Sequence, residues 1–188
     1  MNIVFYDMEY TRQHYSTTSI SIGLVDLYTE DKFYAEFVDY DHSQIDDWLS
    51  QNVLNLLELE NEVEGSVFAT KNLVKMKGSK HFVMHHENGL LNWLDDKRLP
   101  ITMASFGNHY DWVLLRDLFK STGLAFPDYI TNWPIDLASL YIAKGFNPNS
   151  DPFFKEKFIG SETNAKHNAL FDAKVAKKFY NKLILTKH

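Results

Sequence analysis

Two alternating segments near the start, separated by four residues, constrain this chain more than any other feature. Residues 18–27 set Ile20, Ile22 and Leu24 against Ser19, Ser21 and Gly23, and residues 32–38 alternate again after the polar turn 28–31. A period of two marks strands with one apolar face, and so short a connection joins antiparallel neighbours. The apolar run from Asn2 to Asp7 precedes them and reads as a buried strand. The chain therefore opens with an antiparallel three-strand meander.

Beyond Val38 the period becomes helical. Ile45, Trp48, Leu49 and Val53 fall at helical spacing behind the acids Asp46 and Asp47, which favour a helix N-terminus. Residues 58–80 fit a strand or irregular segment followed by a short helix. Residues 81–94 read as a helix with Phe82, Leu90, Leu91 and Leu94 inward, and 101–106 as a strand closed by Gly107-Asn108. Three more helices follow: 111–120, stopped at Gly123, then 136–144 and 169–184. Between them, residues 145–166 form a long Asn-, Pro-, Gly- and Ser-rich loop carrying Phe153, Phe154 and Phe158. Strands alternating with helices make the fold class α/β, one mixed sheet flanked by helices in a single domain over residues 1–188.

Composition narrows the chemistry. The chain has no cysteine, which excludes a disulfide framework, a thiolate zinc site and a cysteine nucleophile, and fits a cytoplasmic location. No apolar run approaches the ~18–20 residues of a membrane span, and the start of the chain lacks the basic region of a signal peptide. The net charge of −6 argues against coating nucleic acid by bulk attraction. Charge is uneven, however. Up to Glu62 the only bases are Arg12 and Lys32, whereas Lys71, Lys75, Lys77, Lys80 and the stretch 166–187 are basic. An acidic pole beside basic patches suits a site that holds cations and receives phosphates, although each lysine by itself suits a solvated face equally.

The acids fall into a pattern. Asp7-Met8-Glu9 ends the first strand, and residues i and i+2 of a strand share a face, so both carboxylates project together. Paired carboxylates repel unless a cation lies between them, and hard cations such as Mg²⁺ take oxygen ligands. Asp111 opens a helix after a strand, a place where an acid also serves simply to complement the helix dipole. His167 and Asp172 stand at the head of the last helix; with His167 on the preceding loop, both side chains can reach one site. No single element is specific: Glu58-Leu59-Glu60 shows how common acid pairs are. Conjunction and order carry the argument.

In that order, acid pair, mid-chain aspartate, then histidine and aspartate, the chain resembles the histidine-bearing (DEDDh) branch of the DEDD 3′–5′ exonucleases, with their ribonuclease H-like fold. His-x-Ala-x-x-Asp-Ala at 167–173 is the most specific element. Within that branch, Tyr6-Asp-Met-Glu-Tyr10, Ser21-Ile-Gly-Leu-Val25, Tyr110-Asp-Trp-Val-Leu-Leu115 and His167-Asn-Ala-Leu-Phe-Asp-Ala173 look like the bacterial exoribonucleases that trim adenylate-rich 3′ ends. The resemblance implies Asp7, Glu9, Asp111, His167 and Asp172 as the catalytic set. Asp7, Glu9 and Asp172 would bind a first Mg²⁺ or Mn²⁺, with Asp111 assisting directly or through water, and Asp7 would share a second ion. His167 would be the general base. Met8, Tyr10 and Asn108 are the expected substrate contacts, with Phe153, Phe154 and Lys155 as a flap over the strand. Single-stranded nucleic acid, RNA before DNA, is the implied partner, without a membrane, and small enzymes of this branch are homodimers.

Two other classes stand beside this one. A DNA exonuclease of proofreading or repair type uses the same residues, and a nucleic-acid-binding module can keep the fold without activity. His81 and His85, at i and i+4, suit zinc if helical, but bring no third ligand and no His-Glu-x-x-His pattern. No phosphate-binding Gly-rich loop and no Gly-x-Ser-x-Gly elbow is present.

Overall fold

The computed structural model describes residues 2–147 and 168–185. The meander is present: β1 (Asn2–Tyr10), β2 (Ser19–Asp26) and β3 (Lys32–Phe37) pair antiparallel in sequence order. The first strand is longer than its apolar run suggests, because pairing with β2 carries it through both acids to Tyr10.

Residues 67–78 form a hairpin, β4 (Val67–Thr70) and β5 (Leu73–Gly78), where the sequence reading left a strand or irregular segment and a helix. Only β5 joins the meander, parallel to β3, and β4 is the largely exposed outer strand. A strand facing water on both sides has no apolar alternation to announce it; pairing alone makes it a strand. The other edge is built by β6 (Ile101–Ser105), parallel to β1, and the two-residue β7 (Ile135–Asp136). The sheet order is β4-β5-β3-β2-β1-β6-β7.

Alternation along β1 divides the core. Val4, Tyr6 and Met8 face α2 (Lys80–His85), α3 (Leu90–Asp95) and α4 (His109–Ser121), whose Val83, Met84, Leu90, Leu94, Leu114, Leu115, Leu118 and Phe119 are buried with them. Ile3 and Phe5 face the opposite layer, α5 (Leu137–Ala143) and α6 (Ala169–Leu185), through Leu137, Tyr141, Ala176 and Phe179. A further helix, α1 (Asp47–Asn52), covers Ile20 with Leu49. The helix expected over 81–94 is two short helices, because the chain turns through Gly89, where a Cβ would meet the Val83 carbonyl oxygen at 2.4 Å.

The ends of α4 explain its position. At its C-terminus Gly123, at φ +81°, donates to Lys120 O while Leu124 donates to Phe119 O at 2.9 Å, the Schellman pattern. At its N-terminus the turn 106–108 leaves β6 through Gly107 at φ +72°. No helix among the described residues is long and apolar enough to cross a membrane.

Candidate active site

The pairing of β1 is asymmetric, and this opens the site. On one side β2 accompanies it as far as Tyr10; on the other, β6 accompanies it only as far as Phe5. Asp7 and Glu9 therefore lie where β1 extends past its parallel neighbour, the place where sheets of this kind leave a crevice at their strand ends. Both side chains share the face covered by α6, since their cross-strand neighbours, Gly23 and Ser21, belong to that face.

Helix α6 supplies the third acid. Its first residue is preceded by Asn168, whose Oδ1 accepts from Phe171 N at 3.0 Å and whose Nδ2 donates to Leu56 O at 3.3 Å. The cap thus starts the helix and ties it to the segment before β4. Ala169 and Leu170 rest on the backbone of Gly23, so Asp172, one turn later, meets the β1 acids. Carboxylate oxygens of Asp7, Glu9 and Asp172 all lie within 4.8 Å of one another. Asp111, in the first turn of α4, is 6% exposed and close enough for its charge to act on Glu9.

Four acids so placed resist ionising together. Burial pushes the Asp7 carboxyl up to about 7. Burial and then the Asp7 charge push Asp172 up to about 8. Glu9 is raised well above its ordinary range by burial, then by Asp7, Asp172 and Asp111, and Asp111 by burial, then by Asp7 and Asp172. A divalent cation relieves this repulsion, and an all-oxygen donor set within 4.8 Å fits Mg²⁺ or Mn²⁺.

The turn 106–108, which carries Asn108 and leads into α4 and Asp111, is held by Asp136. Asp136 accepts from Gly107 N at 3.0 Å and from Ala138 N at 3.1 Å, joining this turn to the start of α5. Burial works against its charge, but hydrogen bonds from Ser139, Gly107 and Ala138 outweigh it and hold the carboxyl below its ordinary value. Asn108 immediately precedes α4 and makes no capping side-chain hydrogen bond. Tyr10 is half-buried and stacks on Tyr110, ring centroids 5.4 Å apart at 27°. Burial, then Asp111, Asp7 and Glu9, push its hydroxyl up to about 12.

Met8 is placed differently from the sequence expectation. It is 2% exposed in the core under α4, on the sheet face opposite the acid pair. The alternation that projects Asp7 and Glu9 together necessarily turns the residue between them away. His167, Phe153, Phe154 and Lys155 lie outside the described residues. The first basic stretch is largely tied to local partners: Lys75 pairs with Glu58, Lys77 Nζ donates to Leu59 O and Glu60 O, and Lys80 pairs with Asp39 at 3.1 Å. His81 and His85 stack at 4.2 Å, His85 Nε2 lies 3.0 Å from Thr122 O, and among the described residues the one group able to hold a metal is Asp7, Glu9 and Asp172.

No protein-family model and no curated protein matches the chain. Solved structures do. The nuclease domain of 3′hExo, a DEDDh family member, bound to rAMP, superposes with a TM-score of 0.64 at 13% identity, over 97% of this chain and 91% of that one. Pop2p of S. pombe, in its Mg²⁺- and Mn²⁺-bound form, superposes with a TM-score of 0.56 at 15% identity, over 96% of this chain and 82% of that one. Identities this low bear on architecture alone, and the architecture is clear: among the described residues a seven-stranded mixed sheet is flanked by helices, the ribonuclease H-like fold.

Proposed function

We propose that this chain is a metal-dependent 3′–5′ exonuclease acting on single-stranded nucleic acid, RNA in preference to DNA, and releasing nucleoside 5′-monophosphates. One observation carries the reading: carboxylates from β1 and α6, distant in sequence, converge within 4.8 Å in a crevice that Asp111 also borders. The metal-bound Pop2p and nucleotide-bound 3′hExo, which share the fold, support it. The motif segments around Asp7, Gly23, Asp111 and Asp172 favour the group that trims adenylate-rich 3′ ends.

In this reading Asp7, Glu9 and Asp172 would hold the first of two Mg²⁺ or Mn²⁺ ions, Asp7 would share the second, and Asp111 would assist. Bound there, such ions would lower the pKa of the attacking water and stabilise the leaving 3′-oxygen. His167, immediately before the capping Asn168 in sequence, would take the proton from that water. The Tyr10–Tyr110 pair stacks on the terminal base, and Asn108 contacts the terminal sugar or phosphate. A homodimer in the cytoplasm completes the reading; a light-scattering mass of one chain, 21.9 kDa, at micromolar concentration would count against the dimer.

The test is a 5′-labelled single-stranded RNA incubated with the protein and Mg²⁺, beside Asp7→Ala and an EDTA control. A ladder shortening from the 3′ end, absent in both controls, is the expected result. Degradation of matched DNA with intact RNA would transfer the reading to a DNA exonuclease. No cleavage of either with Mg²⁺ or Mn²⁺ would leave a binding module.

A further inference from the structure

Among the described residues, five side-chain atoms are buried without a hydrogen-bond partner: Asn2 Oδ1, the Tyr6 hydroxyl, Ser21 Oγ, Glu36 Oε2 and Ser105 Oγ. Protein interiors pair nearly all such groups, so the location of exceptions is informative. Asn2 stands at the far end of β1. Of the other four, Ser21 pairs across the strands with Glu9, Glu36 with Ser21, Tyr6 precedes Asp7, and Ser105 ends β6.

Tyr6 is the most informative of them. It is fully buried on the α4 face of the sheet, in the same core cluster as Leu114 and Leu115 of the helix that carries Asp111. Ser105, also fully buried, neighbours its hydroxyl, since β6 ends beside it where the pairing Phe5↔Ala104 stops. Burial and then the Asp111 charge raise the Tyr6 hydroxyl, the neighbouring Ser105 hydroxyl opposes them, and Asp7 raises it further. A phenylalanine would fill the same space without stranding a donor, so packing gives no reason for the oxygen. Asp111 does supply one. It arrives from a different element than Asp7 and Glu9, and a carboxylate that serves a cation is oriented by a donor outside the ion.

We propose that Tyr6 is a positioning residue for Asp111: in the ion-bound site its hydroxyl donates to the Asp111 carboxylate, and the Ser105 hydroxyl donates to the Tyr6 oxygen. This rests on the metal-dependent reading above.

The test compares Tyr6→Phe and Ser105→Ala with the wild-type chain by Mn²⁺ titration calorimetry, by melting without metal, and by nucleotide release at varied RNA and Mg²⁺. Tyr6→Phe should weaken Mn²⁺ binding and lower kcat by about 10- to 100-fold, with KM for RNA unchanged. Its metal-free melting temperature should equal or exceed that of the wild type, because a stranded hydroxyl has been removed. Ser105→Ala should shift both quantities in the same direction by less. Wild-type Mn²⁺ affinity and kcat in a folded Tyr6→Phe would overturn the proposal. If that variant melts early, an unchanged Ser105→Ala would overturn it. If the wild type binds Mn²⁺ yet cleaves nothing, the exonuclease reading fails, while the Mn²⁺ affinity of Tyr6→Phe still decides the role of Tyr6.

Discussion

Gly23 on β2 lies directly against the backbone of Ala169 at the start of α6: a Cβ built on Gly23 would stand 2.3 Å from the Ala169 carbonyl carbon and 2.3 Å from Leu170 N. Gly23 is also the cross-strand neighbour of Asp7. The missing side chain thus sets the height at which α6 begins above the acid pair, and through it the position of Asp172. Gly23→Ala should cost about 1–3 kcal/mol in urea unfolding, the usual range for forcing a methyl into a packed core. It should also weaken Mn²⁺ binding measured by calorimetry. Wild-type values of both would mean that α6 is not held by this contact.

Metal-free stability should depend on pH in an unusual direction. Asp7 and Asp172 are raised to about 7 and about 8, and Glu9 and Asp111 are raised as well. The folded protein therefore binds more protons than the unfolded chain over the window above the ordinary carboxylate range, near 4, and up to about 8. The stabilisation from protonated acids is complete below that window and is lost as pH rises through it. In EDTA the melting temperature should fall between pH 5 and 8.5, and excess Mg²⁺ should remove most of the fall at the alkaline end. A flat profile in EDTA would mean that the acids are not coupled in solution.

Asp172→Asn should separate stability from activity. The substitution keeps the shape and removes one of the mutually repelling charges, so melting in EDTA at pH 8 should rise. Nucleotide release should fall by about a hundredfold or more, the several kcal/mol that ions at such sites supply. Parallel melting curves and gel assays on the same preparation check both halves.

Tyr110→Ala should act on substrate binding. Base–aromatic stacking contributes about 1–3 kcal/mol per base, so KM for single-stranded RNA should rise about tenfold with kcat little changed. Steady-state kinetics on a short oligoadenylate measure the split; a fall in kcat alone would remove the stacked pair from the substrate path.

Met8→Leu should leave nucleotide release unchanged and cost less than about 1.5 kcal/mol, as volume-conserving core exchanges do. A loss of activity without loss of stability would place the Met8 side chain at the substrate after all, against its buried position under α4.

Much of this protein is determined by local sequence. The alternation over 18–38 dictates the meander, because strand period and a short turn are local properties. Helix α4 is legible from its apolar spacing and its glycine stop. The acids are legible because Asp7 and Glu9 share a strand face by period alone, and the order of Asp111 and Asp172 follows them. Tertiary structure decided the rest. The outer hairpin exists by pairing with β3 rather than by its own pattern. Gly23 suits any buried strand until α6 is laid across it. Asp136 only opens a helix in the sequence; in the fold it also accepts from Gly107 N and joins that helix to the turn that leads into α4. Met8 has the right neighbours in sequence and the wrong side of the sheet. The 4.8 Å convergence of Asp7, Glu9 and Asp172 is set by contacts between elements more than a hundred residues apart, whose distances depend on the three-dimensional packing of strands and helix.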